Sequence, residues 1–162
     1  MKLAVLSDSH DNIWKLDQAL PELAQADAVL HCGDLCSPFM IKRLAEGVGE
    51  TPIHVVWGNN DGDQFTIGRV AREFKQVTLH GDLAAFELGD VPVAANHYPE
   101  IAEGLAASGE FDIVCYGHNH TQKQEKIGGC LLLNPGELMG MNGASTIAIV
   151  NLVDMGVQFV TI

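Results

Sequence analysis

Over its first 74 residues the chain three times places a short apolar run ahead of a segment with helical spacing, and this alternation limits its fold more than any other feature. Leu3 to Leu6 is nearly continuous apolar sequence, as in a strand covered on both faces. Ile13, Leu16, Leu20 and Leu23 then recur at three- and four-residue spacing, which predicts an amphipathic helix from near Asn12 that Pro21 kinks or ends. A second strand at Ala28 to Leu30 leads to a helix over Pro38 to Glu46, with Pro38 in its first turn. A third strand at Ile53 to Trp57 leads to a helix around Thr66 to Phe74. Strands alternating with helices imply parallel strands joined by crossover helices.

From Gln76 the rhythm changes. Val77 to Leu79, Ala84 to Leu88 and Val93 to Ala95 are separated by Gly81-Asp82 and Gly89-Asp90, and read as antiparallel hairpins. A helix over Glu100 to Ala107 precedes a strand at Ile113 to Tyr116, and the runs at Leu131 to Leu133, Thr146 to Val150 and Val157 to Ile162 read as β only. The expectation is a single α/β domain over residues 1–162 with a mixed sheet system.

The charge balance narrows the partners. Against 21 Asp and Glu stand only 9 Lys and Arg, a formal net charge of -12, so a basic stripe that tracks a nucleic-acid backbone is not expected. An anionic substrate would have to draw positive charge from metal ions instead. The four cysteines (Cys32, Cys36, Cys115, Cys130) fall in or beside apolar runs and read as unpaired thiols rather than disulfides. The N-terminus lacks the apolar core of a signal peptide and no stretch approaches membrane-spanning length. A cytoplasmic protein with no membrane partner is expected.

Ligand-capable residues fall where strands end. Ser7-Asp8-Ser9-His10 follows the first strand, His31-Cys32-Gly33-Asp34 the second and Gly58-Asn59-Asn60-Asp61 the third; Asn96-His97 follows the run at Val93, and Gly117-His118-Asn119-His120 the run at Ile113. In open α/β sheets the carboxyl ends of the strands converge on one crevice, where ligands bind. Asp8, His10, Asp34, Asn59, His97, His118 and His120 supply two carboxylates, one amide oxygen and four imidazoles, a mixed set suited to Mn, Fe, Zn or Ni. Taken singly, each cluster has a plain structural reading: Ser9, Asp11 or Asn12 can cap the next helix, Ser37 the one after, and Asn59 to Gly62 can be only a turn. In an extended segment His118 and His120 would point to one side and Asn119 to the other. His31 is expected to pack or to hydrogen-bond beside the site, and His54 and His80 to be structural or exposed.

As an ordered set, Asp8-x-His10, Gly33-Asp34, Gly58-Asn59-x-Asp61, His97 and Gly117-His118-x-His120, with the turn Asn134-Pro135-Gly136, resembles the calcineurin-like metallophosphoesterase superfamily and its small YfcE-type phosphodiesterase branch. The resemblance implies a four-layer αββα sandwich, two mixed sheets flanked by helices, with two divalent metal ions at the strand ends. Mn2+ heads the expected ions, followed by Ni2+, Fe2+, Zn2+ and Mg2+. By the same resemblance Asp8, His10 and His120 hold one ion, Asn59, His97 and His118 the other, and Asp34 bridges them. A metal-bound hydroxide would attack phosphorus in line, on a phosphodiester or a small phosphomonoester.

Asp34, Asn59, Asn60 and Asp61 form the expected catalytic group, with Asp61 accepting a hydrogen bond from a ligand histidine. Two positions depart from the family pattern: Asn60 stands where many members carry a histidine that assists the leaving group, and Asn96-His97-Tyr98-Pro99 where many show His-Gly-His. Asp11, Asn12, Asn60 and Tyr98 are the candidate specificity residues. The expected partner is a small phosphorylated substrate, with self-association into a homo-oligomer; the alternative is a non-catalytic protein-interaction scaffold on the same fold, as in a retromer subunit.

Overall fold

The computed structural model describes residues 1–162, with eleven strands and four helices. The first half runs β1 (Lys2–Leu6), α1 (Ile13–Leu23), β2 (Ala28–His31), α2 (Pro38–Val48), β3 (Ile53–Val55), α3 (Gln64–Ala71) and β4 (Val77–Leu79). The second runs β5 (Leu83–Leu88), β6 (Val91–Asn96), α4 (Pro99–Ala107), β7 (Ile113–Cys115), β8 (Lys123–Ile127), β9 (Cys130–Asn134), β10 (Thr146–Asn151) and β11 (Gly156–Thr161).

Two mixed sheets result, a six-stranded one in the order β11-β10-β1-β2-β3-β4 and a five-stranded one in the order β5-β6-β7-β9-β8. β1 to β4 are mutually parallel, as are β6, β7 and β9, while β10, β11, β5 and β8 run antiparallel to their neighbours.

The period of two in the strands builds the layers. Ala4 and Leu6 of β1 face the cluster formed with α1, α2 and α3, whereas Leu3 and Val5 face the second sheet. In that sheet Ile113 and Cys115 of β7 turn toward the first sheet, and Val114 toward Ala102 and Ala106 of α4. Helices, sheet, sheet and helix stack in four layers, the expected αββα sandwich.

Three details differ from the sequence expectation. β4 is not a hairpin partner of β5: it extends the parallel set beside β3, with Val77 and Leu79 packed on the helix-side core. β8 (Lys-Gln-Glu-Lys-Ile) was hidden by its polarity, which an edge strand tolerates because only its ends are half-covered. Pro21 does not end α1 at once; it sits in the last turn, where its missing N–H costs a single bond before the helix stops at Leu23. Asn12 caps that helix, its side chain accepting from the Lys15 N–H at 3.2 Å. At the start of α2 the Ser37 side chain makes no cap and instead donates to Asp11 at 2.7 Å, which ties two site loops together.

Candidate metal centre

The carboxyl ends of β1, β2, β3, β6 and β7 all open onto one edge, and the loops that leave them are stitched to one another by backbone bonds. Asp8 N–H donates to the Gly33 carbonyl and His10 N–H to the Asp34 carbonyl, both at 3.0 Å, and Gly117 N–H donates to the His97 carbonyl at 3.1 Å. Glycine precedes a ligand candidate in three of these loops because nothing larger fits. A Cβ on Gly58 would strike the Asp34 carboxylate, one on Gly117 would strike Ser7 and Asp8, and one on Gly33 would lie 2.7 Å from the His97 ring.

The backbone is strained where the candidates sit. Among non-glycine residues, Asp8, His10, Asp34, His118 and His120 have φ between 39° and 70°, in the left-handed region that side chains normally avoid. His118 and His120 are therefore not on an extended segment. Two left-handed residues around Asn119 turn them apart, and each meets a different neighbour.

His120 faces Asp8, with Nε2 3.3 Å from Oδ1, and His10 Nε2 lies 3.8 Å from the same oxygen. His118 instead places Nδ1 3.0 Å from Asn59 Oδ1, which His97 Nε2 approaches to 3.1 Å. Asp34 Oδ2 lies between the groups, 3.5 Å from His10 Nε2 and 3.4 Å from His97 Nε2. Ligand atoms of Asp8, His10 and His120 lie within 4.8 Å of one another, as do those of Asp8, Asp34 and His97. Asp8 thus reaches toward both groups, a wider role than the sequence reading gave it.

These atoms fit cations. Asp8 Oδ1 and His10 Nε2 are buried without a hydrogen-bond partner, which is costly for polar atoms unless an ion satisfies them. His97 is fully buried and its Nδ1 donates to the Cys32 carbonyl at 2.8 Å. Its Nε2 lone pair then points at the oxygens of Asp34 and Asn59, an arrangement that requires either a proton or a metal ion between them.

The proton affinities follow the same fields. The Asp8 carboxylate facing it raises the His10 pKa above its usual value against the effect of burial, and Asp34 adds to the rise. Burial pulls the His97 pKa down, but the bonds to Asp34 and Cys32 outweigh it and the net shift is upward. For Asp34, burial works against the charged form, yet the bonds from His97 and Asn60 hold its carboxyl below the ordinary range.

Asn60 donates its backbone N–H to Asp34 Oδ1 at 2.7 Å and its side-chain amide to Oδ2 at 2.8 Å, so it clamps the carboxylate. Asp61 departs from expectation. It accepts no ligand histidine but three backbone N–H groups, from Asp34 at 3.0 Å, Cys36 at 2.7 Å and Gly58 at 2.7 Å. Buried beneath the loops, it holds Asp34 and the approach to Asn59 in register. His31 is beside the site as expected: its Nδ1 accepts from Gly33 N–H at 3.2 Å and its Nε2 meets Ser9 at 3.0 Å. Burial lowers its pKa to about 4, so the ring is neutral.

Asp11 and Asn12, read as specificity residues, are spent on structure, Asp11 on Ser37 and Asn12 on the Met139 carbonyl at 2.9 Å. Tyr98 packs edge-on against His97 and His118, with ring centres 5.3 and 5.1 Å away.

Glu137 was missed by the sequence reading. Its carboxylate is 2 % exposed, with Oε2 2.5 Å from His120 Nδ1 and Oε1 taking the Asn142 N–H. Only its place directly after Asn134-Pro135-Gly136 marked it, and nothing in that spacing reveals that the turn returns to His120.

Comparison with known proteins decides the family. The calcineurin-like phosphoesterase superfamily domain matches residues 1–155. The chain belongs to that superfamily. Membership makes it a hydrolase of phosphate ester bonds, in a family that uses divalent metals. It is 30% identical over 156 residues to phosphodiesterase MJ0936 of Methanocaldococcus jannaschii, covering 93% of each chain. A solved archaeal phosphodiesterase superposes with a TM-score of 0.92 at 27% identity, over the full length of both chains. Vps29 of Entamoeba histolytica, solved with Zn2+, shares the fold at a TM-score of 0.69 and 20% identity, covering 100% of this chain and 98% of that one.

Proposed function

We propose that this superfamily member is a dinuclear metal-dependent phosphoesterase acting on phosphodiesters or small phosphomonoesters. The single observation that carries the reading is the convergence of the two ligand groups on Asp34 Oδ2, with Asp8 Oδ1 and His10 Nε2 left buried and unpartnered beside it. Asp8, His10 and His120 hold one ion, Asn59, His97 and His118 hold the second, and Asp34 is shared. The mixed nitrogen and oxygen donors favour Mn2+, with Ni2+, Fe2+, Zn2+ and Mg2+ as alternatives. When bound, the ions supply positive charge to the phosphoryl oxygens and lower the pKa of the attacking water.

The chain's own residues set the geometry. Asn60 and Asp61 hold the Asp34 carboxylate and backbone, Glu137 fixes His120 through Nδ1, and the Cys32 carbonyl fixes His97 in the tautomer that leaves Nε2 free. Asn60 is not an acid and its amide is spent on Asp34, so it supplies no proton to the leaving oxygen. Esters with stable leaving anions are therefore the better substrates.

A scaffold on this fold has no need for seven ligand candidates brought to one edge, so the complete set supports an enzyme. The net charge of -12 argues against a nucleic-acid substrate. No helix is long and apolar enough to cross a membrane, and all four cysteines are free thiols, which supports a cytoplasmic setting.

The test is to strip the protein of metal, add Mn2+, Ni2+, Zn2+ or Mg2+ singly, and follow hydrolysis of bis(p-nitrophenyl) phosphate and p-nitrophenyl phosphate, with Asp34→Asn alongside. Metal-stimulated hydrolysis that Asp34→Asn abolishes is expected. Activity indifferent to metal, or to that substitution, overturns the reading, and the diester-to-monoester ratio assigns the substrate class.

A further inference from the structure

Beside the His120 end of the centre lies an open groove of about 410 Å³ that the ligand set does not use. It runs between the start of β8 and the loop before β10, with His120 and Glu137 at one side and Gln122, Asn142, Gly143 and Ala144 among its walls. Its volume is within the range of small-molecule sites. Resting on the phosphoesterase reading above, we infer that this groove receives one arm of the ester, and that the arm is a neutral, hydroxyl- or amide-bearing group rather than a second anion.

The chemistry of the walls carries the inference. None of the nine Lys and Arg residues lines the groove, and its ionisable residues are His120 and Glu137 alone. Glu137 is buried, with one oxygen on His120 and the other on the Asn142 backbone, so its carboxylate is pinned at the foot of the groove. A second phosphate or a carboxylate placed there would meet the Glu137 carboxylate with no Lys or Arg side chain to offset it, the charge of the ions being spent on the reacting phosphoryl group.

The polar groups are free for a neutral guest. The side-chain amides of Gln122 and Asn142 are exposed and make no hydrogen bond within the protein, and each offers donors and an acceptor. Ala144 is the one apolar wall residue, so the groove does not select a purely hydrocarbon arm. Glu137 also ties this wall to the metal centre, since its second oxygen takes the N–H of Asn142 while the first holds His120.

Three p-nitrophenyl phosphodiesters with methyl, glyceryl or carboxymethyl as the second arm share a leaving group and differ only in what reaches the groove. With the Mn2+-loaded enzyme, the glyceryl ester should show the lowest KM and the carboxymethyl ester the highest. Gln122→Ala and Asn142→Ala should each raise the glyceryl KM several-fold, and the double variant about tenfold, the loss of two ordinary hydrogen bonds; the glyceryl-to-methyl preference should collapse with it. Both side chains are exposed, so the variants fold.

A second readout does not depend on turnover. Titrating the Mg2+-loaded protein with glyceryl methylphosphonate should shift the backbone amide resonances of Gln122, Asn142 and Gly143, whereas methyl methylphosphonate should leave them in place. Equal KM values for the three arms, an unchanged preference in the double variant, or amide shifts confined to other loops would each overturn the groove assignment. If no diester is hydrolysed while the groove amides still shift, the groove stands and the phosphoesterase reading fails.

Discussion

Two groups of histidines in this molecule have opposite surroundings. At the carboxyl edge, His10, His97 and His120 point Nε2 at carboxylate oxygens, and the Nδ1 of His97 and of His120 is taken by a backbone carbonyl and by Glu137. Between the sheets, His54 of β3 stacks on Phe86 of β5 with ring centres 3.8 Å apart and planes 2° from parallel, and its Nδ1 meets His80 Nε2 at 2.9 Å. No carboxylate pairs with either of these two rings.

The proton affinities separate accordingly. Burial lowers the His54 pKa to about 4, helped by the neighbouring His80, and burial lowers that of His80 as well. At the edge the carboxylates overcome burial, and His10 and His97 are raised. An imidazole becomes a ligand when its far nitrogen is held by an acceptor and its near one faces oxygens; the same ring facing another ring is packing. That contrast predicts where substitution will cost activity and where only stability.

After Asp34, the largest effect is expected at Asp8, whose Oδ1 faces His10 and His120 and whose carboxylate also lies within 4.8 Å of the ligand atoms of Asp34 and His97. Asp8→Asn keeps the shape and removes the charge. Metal-dependent hydrolysis should fall by about 10³ or more, the scale of losing a centre of charge stabilisation, and calorimetric titration should register fewer bound ions. Retained turnover with two ions bound would break the assignment of Asp8.

Glu137 tests whether the partner behind a ligand matters as much as the geometry suggests. Glu137→Leu leaves His120 Nδ1 and the Asn142 N–H without their acceptor. Affinity for Mn2+ should drop by about 10- to 100-fold, as for other outer partners of metal-bound histidines. Saturating metal should recover much of the activity, whereas an equal loss at every metal concentration would assign Glu137 to the fold alone.

What could be read from the chain follows from how local each cause is. The parallel strands β1 to β3 and their helices were legible because Leu3 to Leu6 and the Ile13-Leu16-Leu20-Leu23 stripe carry their own periods. The gathering of the candidate residues at one edge was legible because each cluster directly follows a strand. β8 was not, since Lys123 to Ile127 is an edge strand whose polar residues obey no burial pattern. β4 was assigned to the wrong neighbour because a three-residue strand does not encode its partner. Asp61 and Glu137 took roles that only tertiary contacts create, on the Asp34 and Cys36 backbone and on His120.

The raised pKa values of His10 and His97 make metal binding a competition with protons. In the metal-free protein these rings hold protons more tightly than in the unfolded chain, so they stabilise the apo fold below pH 6.5 and that contribution is lost as pH rises through their folded pKa values. A metal ion must displace the protons. Mn2+ affinity should therefore rise with pH across that window and level off above it. Calorimetry in two buffers of different ionisation enthalpy should give different binding heats below the plateau and equal ones on it; identical heats throughout would mean that the rings are already neutral.

The smallest effect belongs to the other histidine group, and it has the opposite sign. His54 stays neutral in the folded protein down to about pH 4, whereas in the unfolded chain it takes a proton near pH 6.5. Its contribution is therefore absent above pH 6.5 and becomes an increasing destabilisation as pH falls from there toward 4. His54→Phe keeps a flat ring on Phe86 and removes the titration, and the half-exposed His80 can turn its freed nitrogen to water. The variant should unfold close to wild type at pH 7.5. At pH 5 it should gain about 2 to 4 °C in Tm relative to wild type, the equivalent of ~1 kcal/mol in a domain of this size after allowing for solvent screening. Metal-dependent hydrolysis should not change, because His54 and His80 contact each other and Phe86 and none of the candidate ligands. A loss of turnover in His54→Phe at pH 7.5 would show that the two histidine groups are coupled through the sheets, and the contrast between them would fail at its simplest point.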